Sequence, residues 1–111
     1  MISNEACIAE CLESHRVCLE SLTYCLRRGE AYAEVSHVHL LMDCSQICQT
    51  TADFMMRESD VVAQICEIAA YICERTAVSC ERWAASDPQM KECTEVCRRC
   101  GECCRKIMIA A

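Results

Sequence analysis

Glycine and proline are nearly missing from this sequence, with two of the first and one of the second in 111 residues. Small domains stapled by disulfides are rich in loops and need far more of both. No apolar stretch approaches the roughly 20 residues of a membrane span. Cationic excess is lacking too: the net charge is −6, which argues against a nucleic-acid partner. There is no nucleophile motif, no phosphate-binding loop and no paired acid–base signature, so an enzyme is not expected. The first residues, Met1-Ile2-Ser3-Asn4-Glu5, carry neither a basic region nor an apolar run. They do not read as a signal peptide. The expected location is therefore the reducing cytoplasm, where thiols persist.

What the sequence does have is cysteine: fourteen of them. Their setting is helical. Gly29 follows Arg27 and Arg28, the pattern of a helix that ends in a left-handed residue after a basic last turn. Ser59-Asp60 offers a cap between two apolar stretches, and Ser86-Asp87 offers another, with Pro88 at the first helical position. These breaks predict four helices, over about 4–28, 31–57, 60–84 and 88–108. Each would run roughly 30–37 Å at 1.5 Å per residue. Short connections favour antiparallel neighbours. The expected fold is all-α: one domain over residues 1–111, an up-down-up-down four-helix bundle. Nothing reads as a β-strand.

The cysteines keep to the helical repeat. Segment 1 has Cys7, Cys11, Cys18 and Cys25, with a literal heptad in Cys11-Leu12-Glu13-Ser14 and Cys18-Leu19-Glu20-Ser21. Segment 2 has Cys44 and Cys48. Segment 3 has Cys66, Cys73 and Cys80, each followed by a glutamate (Glu67, Glu74, Glu81). Segment 4 has Cys93, Cys97, Cys100 and Cys104, with Cys103 beside them. Steps of three, four and seven place residues on one helix face, the face a bundle turns inward. At least 13 of the 14 should therefore line one lumen, with Cys103 on the flank and the glutamates outside.

Cysteine there takes positions where a bundle ordinarily uses Leu or Ile. A thiol is smaller and buries less apolar surface, so packing alone does not account for it. Cysteines seven apart on a helix are about 10.5 Å apart along its axis, beyond disulfide reach. Soft thiolates select Cu(I), zinc or iron–sulfur clusters. Zinc wants isolated tetrahedra, which long rows on rigid helices do not supply. Cys97, Cys100 and Cys103 have ferredoxin-like spacing, but Ile107 stands where the fourth cysteine would fall and no proline follows. Charge also discriminates. A crowd of buried thiolates with no inward Lys or Arg is neutralised by about one monovalent ion each. Multiple Cu(I) ions are the expected cargo. A thiol-dependent redox protein and a zinc or iron–sulfur bundle are the alternatives.

The Cys-x3-Cys pairs at 7/11, 44/48, 93/97 and 100/104, with the heptad cysteines between them, span nearly the whole chain. In these features the sequence resembles the cytosolic four-helix-bundle copper storage proteins, cysteine-rich and formerly labelled ferredoxin-like. The resemblance implies a core filled with Cu(I), a homotetramer, and non-cysteine ligands near the bundle mouth. His37, seven residues before Cys44, would lie near the level of Cys25, Cys80 and Cys93 and is the candidate mouth ligand. Its other reading is a hydrogen-bonded histidine at the core edge. His15 and His39 are expected in solvent. Met55, Met56 and Met108 should cluster at the opposite end, as packing or as thioether ligands. Trp83, Tyr24 and Tyr71 should pack between helices or subunits. Apolar seams including Leu12, Leu19, Ile65, Ile72 and Val96 should flank the stripes and hold the empty bundle. Leu12, Leu19 and Leu26, beside the stripe, add the surface for a homo-oligomer. Close backbone approach would account for Gly101 inside segment 4.

Overall fold

The computed structural model describes residues 4–110. Four helices follow one another: α1 (Asn4–Arg28), α2 (Val35–Met56), α3 (Val62–Ala84) and α4 (Pro88–Ala110). No strand occurs among the described residues. Helix α1 packs on α2 and α4, and α3 packs on the same two, so the four form a square bundle. The diagonal pair α2 and α4 meets only at the axis, through Cys44–Cys97 and Cys48–Cys100 among the described residues. Neighbours run antiparallel. Residue 25 of α1 meets residues 37 of α2 and 90 of α4, while residue 7 meets residue 104. The bundle is 42 Å long and about half as wide, 21 by 17 Å.

The helix ends show which local signals the chain uses. Gly29 takes φ 77° and donates its N–H to the Cys25 carbonyl at 3.0 Å, closing α1 as its basic last turn indicates. The second helix starts later than predicted. Glu30 also has positive φ, and Glu30–Ala33 forms a separate 3-10 turn that sets Tyr32 against the bundle. Helix α2 ends with Glu58 at φ 53° and the Ser59 N–H bonded back to the Phe54 carbonyl at 3.0 Å, a Schellman-type closure. Ser59 and Asp60 do not cap α3. The Ser59 hydroxyl instead accepts the Val61 N–H within the loop, at 3.3 Å, and the helix begins at Val62 without a side-chain cap. The third signal holds: the Asp87 carboxylate accepts the N–H groups of Gln89 and Met90, at 3.0 and 3.2 Å, with Pro88 first in the helix.

Thirteen cysteines are buried, and only Cys103 is half-buried. Around them the core is completed mainly by small or compact side chains: Val17, Leu41, Ala52, Ala69, Ala70, Ala77, Met90 and Val96. The expected leucine seams are only partly realised. Val96 is buried and Ile65 and Ile72 are half-buried, but Leu12 and Leu19 are 38% and 45% exposed. A residue one step behind a stripe is turned about 100° from it, too far to reach the core of a narrow bundle. Gly101 faces α3, yet a Cβ there would meet the nearest atom, Cys73 Cβ, at 3.4 Å. That is ordinary contact, so close approach does not require the glycine.

Candidate metal centre

The heptad spacing delivers each stripe to the bundle axis, and the antiparallel registers interleave them into one file of sulfur. From the α1 N-terminal end, Cys7 lies 3.8 Å from Cys104, and Cys104 lies 3.8 Å from Cys11. Cys11 is 3.6 Å from Cys100, which is 3.8 Å from Cys48. Cys48 meets Cys73 at 3.6 Å and Cys44 at 4.0 Å, and Cys44 meets Cys73 at 3.8 Å. Cys44 continues to Cys97 at 3.9 Å, and Cys97 to Cys18 at 3.7 Å. Cys93 adjoins Cys18, Cys80 and Cys97, Cys66 adjoins Cys104, and Cys103 adjoins Cys7. Three trios have sulfurs within 4.8 Å of one another: Cys7, Cys11 and Cys104; Cys18, Cys44 and Cys97; Cys44, Cys48 and Cys73. Cys44 belongs to two of them, so these are shared sites and not isolated tetrahedra.

The file ends near Cys25, whose sulfur lies 3.4 Å from His37 Nε2 and 3.8 Å from Met90 Sδ. His37 is fully buried, at the level the sequence assigns to it. Its Nδ1 is 2.7 Å from the Ser79 hydroxyl, which accepts a hydrogen bond from Arg82. In the tautomer whose Nδ1 proton faces Ser79, Nε2 presents a lone pair to the lumen, the arrangement of a metal-binding imidazole. Burial, and then the nearby Arg82 charge, hold its pKa below the usual histidine value, which keeps the ring neutral.

Met90 is a ligand candidate that the sequence reading passed over. The signal was available: it lies three residues before Cys93, on the same face. Ser14 and Ser21, the last residues of the repeated Cys-Leu-Glu-Ser, are also fully buried. Ser14 contacts Cys48, Cys44 and Cys97 at 3.4, 3.8 and 3.9 Å, so a hydroxyl interrupts the thiol lining at mid-bundle. Ser21 accepts from Gln89 at 2.9 Å.

Other expectations divide. His39 is exposed, as expected, but His15 is half-buried, with Nδ1 2.8 Å from the Ser45 carbonyl across the α1–α2 seam. Met55 is buried and Met108 half-buried at the far end, whereas Met56 points to solvent. Trp83 stacks on Tyr32 at 4.2 Å and meets the His37 ring edge-on. Tyr71 is exposed. Glu67, Glu74 and Glu81 all lie outside, with Glu74 and Glu81 paired to Arg105 and Arg98 of α4.

Most of the thiols hold their protons tightly. Cys7 is pushed up to about 12, mainly by its bond to Cys104, with burial adding to the shift. Burial is the first cause for Cys25 and Cys103, each also raised to about 12. Cys11, Cys48, Cys73 and Cys97 are raised well above the ordinary thiol value, because a thiolate there would sit against neighbouring sulfurs in a dry interior. Cys44, Cys93 and Cys100 are lowered, since each accepts hydrogen bonds from several thiols and would lose its proton first. Cys104 is lowered to about 5: its bond to Cys100 opposes the shift, but those from Cys11, Cys66 and Cys7 outweigh it. No Lys or Arg is buried among the described residues.

The sequence matches the copper storage protein family over residues 2–109. The chain belongs to that family. Its fold superposes on the Nitrosospira multiformis protein Nmul_A1745 with a TM-score of 0.89, at 37% identity, over 97% of this chain and 96% of that one. It matches the apo form of copper storage protein 3 from Bacillus subtilis at 27% identity and TM-score 0.85, over 96% of this chain and 99% of that one. It matches the Cu(I)-bound copper storage protein BsCsp3 equally well, with 27% identity and TM-score 0.85, over 92% and 94% of the two chains. A sequence search of curated proteins gave no match.

The His37 end of this family member is closed by an aromatic cover that hangs on Asp87. Its Oδ2 accepts the hydroxyls of Tyr24 and Tyr32, at 2.7 and 2.8 Å, while Oδ1 caps α4. Burial raises the Asp87 pKa, but the four hydrogen bonds outweigh it and hold the carboxyl below the usual carboxylate range. Replacing Asp87 with Ala should cost about 1 kcal/mol for the cap and about 1.5–3 kcal/mol for charge-assisted bonds. The expected result is a melting temperature lower by about 10 °C or more. Because the folded pKa is depressed, Asp87 stabilises the fold above its unfolded value and loses that contribution as pH falls through the folded one. Thermal melts of wild type between pH 6 and pH 2.5 should show this decline, and the Ala variant should show less of it.

Proposed function

We propose that this chain, as one bundle domain, stores multiple Cu(I) ions on Cys7, Cys11, Cys18, Cys25, Cys44, Cys48, Cys66, Cys73, Cys80, Cys93, Cys97, Cys100, Cys103 and Cys104, with His37 and Met90 completing the sites beside Cys25. The observation that carries the reading is the file of nine sulfurs from Cys7 to Cys18, joined at 3.6–4.0 Å. Cu(I) is soft, monovalent and content with two or three sulfurs, so each ion bridges neighbours in the file. One Cu(I) per thiolate leaves the lumen neutral, which no divalent filler achieves at that density. The Cu(I)-bound relative of equal fold supports the same conclusion. The work is holding and releasing copper, not catalysis, and the reducing cytoplasm is the compartment in which these thiols stay free.

Anaerobic Cu(I) titration followed by mass spectrometry tests this. Uptake should reach on the order of ten or more ions per chain. Saturation at one to four would sink the storage reading. The raised thiol pKa values add a second readout. Protonated thiols must lose their protons to bind copper, so loading at pH 7 should release about one proton for each raised thiol engaged, and copper affinity should rise with pH.

The assembly is proposed to be a homotetramer. Leu12, Leu19 and Leu26 on α1, and Ile68, Tyr71 and Val78 on α3, are large and exposed on two faces of the bundle. Light scattering at micromolar concentration should give a multiple of the 12.5 kDa chain mass, and a monomer would contradict it.

A further inference from the structure

On the storage reading, copper needs a way into the lumen, and the two ends are poor candidates. At one end Cys25, His37 and Met90 are all fully buried under the stacked Tyr32 and Trp83 rings. At the other, Cys7, Cys66 and Cys104 have no exposed surface, and Met55 and Ile107 are buried with them. One thiol of the fourteen reaches solvent: Cys103. Being adjacent to Cys104, it is turned about 100° from the lumen stripe. It opens into a cleft of about 220 Å³ between α1 and α4, lined by Ala6, Glu10, Arg99, Glu102 and Lys106. Inward, its sulfur adjoins Cys7, the first member of the file that runs through Cys104, Cys11 and Cys100 to mid-bundle.

We infer that Cys103 is the transfer residue through which thiolate-bound Cu(I) passes between solvent and the lumen, by a side door in the α1–α4 seam. The step is a ligand exchange. The Cys103 sulfur binds a Cu(I) ion carried by a donor thiolate, so one copper–sulfur bond forms. The bond to the donor breaks, and the proton leaving Cys103 passes to the departing donor sulfur. Copper stays monovalent throughout. The same exchange then moves the ion to Cys7 and on to the trio of Cys7, Cys11 and Cys104. The rim presents no rigid obstacle. Its crossing ion pair, Arg99 to Glu10 at 3.4 Å, is largely exposed and therefore weak.

The test is anaerobic stopped-flow loading of the full-length apo chain from the Cu(I)–glutathione complex. Cys103→Ser should slow loading by about tenfold or more while lowering final capacity by only about one ion. Met56→Leu replaces an exposed sulfur at the same end that lies outside the proposed ligand set, so it should load at the wild-type rate and to full capacity. Equal rates for the two variants would overturn the side door and leave storage standing. Failure of the wild type to accumulate copper would overturn storage, and the side door with it. A second measurement is independent of the variants. Sub-stoichiometric iodoacetamide on the reduced wild type should label Cys103 first, and first labelling at Cys25 or Cys80 overturns the inference.

Discussion

Loading with Cu(I) should raise the melting temperature by several tens of degrees. A ligand bound only by the folded state adds about 4 kcal/mol per site when its free concentration is a thousandfold above Kd. Each kcal/mol moves the melting point of a domain near 100 residues by about 4–8 °C. Three filled sites are therefore enough for a shift of tens of degrees. The ligands of one ion come from different helices: Cys7 and Cys11 of α1 with Cys104 of α4, or Cys44 and Cys48 of α2 with Cys73 of α3. An unfolded chain cannot assemble such sets without paying the entropy of closing long loops. The container itself should exist before copper arrives. Its helix ends are set by Gly29, Glu58 and Asp87, the buried side-chain nitrogen and oxygen atoms of the described residues all have partners, and its fold matches apo and Cu(I)-bound relatives alike. Circular dichroism of reduced, chelator-treated protein should show a strongly helical spectrum with a cooperative melt, and the loaded protein should melt far above it. A coil spectrum that becomes helical only with Cu(I) would mean that metal builds the fold.

The second large effect is on capacity. Cys44, Cys48, Cys97 and Cys100 link the two halves of the sulfur file, for the chain of contacts within 4.0 Å from Cys11 to Cys18 runs through them. Replacing all four with Ser keeps the volume and leaves hydroxyls that hydrogen-bond one another. It removes the soft donors, and it strips partners from Cys11, Cys18 and Cys73 as well. Capacity should therefore fall by more than the number of thiols removed, while the helical spectrum is retained. A loss of only one ion per substituted thiol, measured by mass spectrometry, would mean that ions are held singly and not by shared sulfurs. Ser14 is a natural instance of the same change, a hydroxyl against Cys44, Cys48 and Cys97. Copper should accordingly be sparsest at that level.

The two ends of the bundle differ in build. At the His37 end, aromatic rings, Asp87 and the 3-10 turn form a hydrogen-bonded cover over mixed nitrogen and sulfur donors. At the Cys103 end the donors are nearly all thiols, and an exposed ion pair stands beside the one solvent-facing thiol. A firm cover suits the closed end of a store, and a weak rim suits the working one.

The sequence by itself determined the all-α class, the inward cysteine stripes and the nature of the cargo, because each depends on local periodicity and on the chemistry of one residue type. Steps of three, four and seven put thirteen cysteines inside whatever the details of packing. Gly29 and Asp87 marked helix ends because their effect is confined to the adjoining turn. The same local rules read Ser59-Asp60 as a cap for α3 and could not show that the Ser59 hydroxyl would take the Val61 N–H within the loop while Glu58 closed α2. Nor could they rank Met90 above Met56, or place His15 in a seam, because those outcomes depend on which side chain a neighbouring helix brings to the same level. Tertiary structure alone decided the pairings that join four stripes into one file, the covering of the His37 end by Tyr32 and Trp83, and the exposure of Cys103 alone among the thiols. Register between antiparallel helices is set by contacts tens of residues apart in sequence, and no periodicity within one helix encodes it.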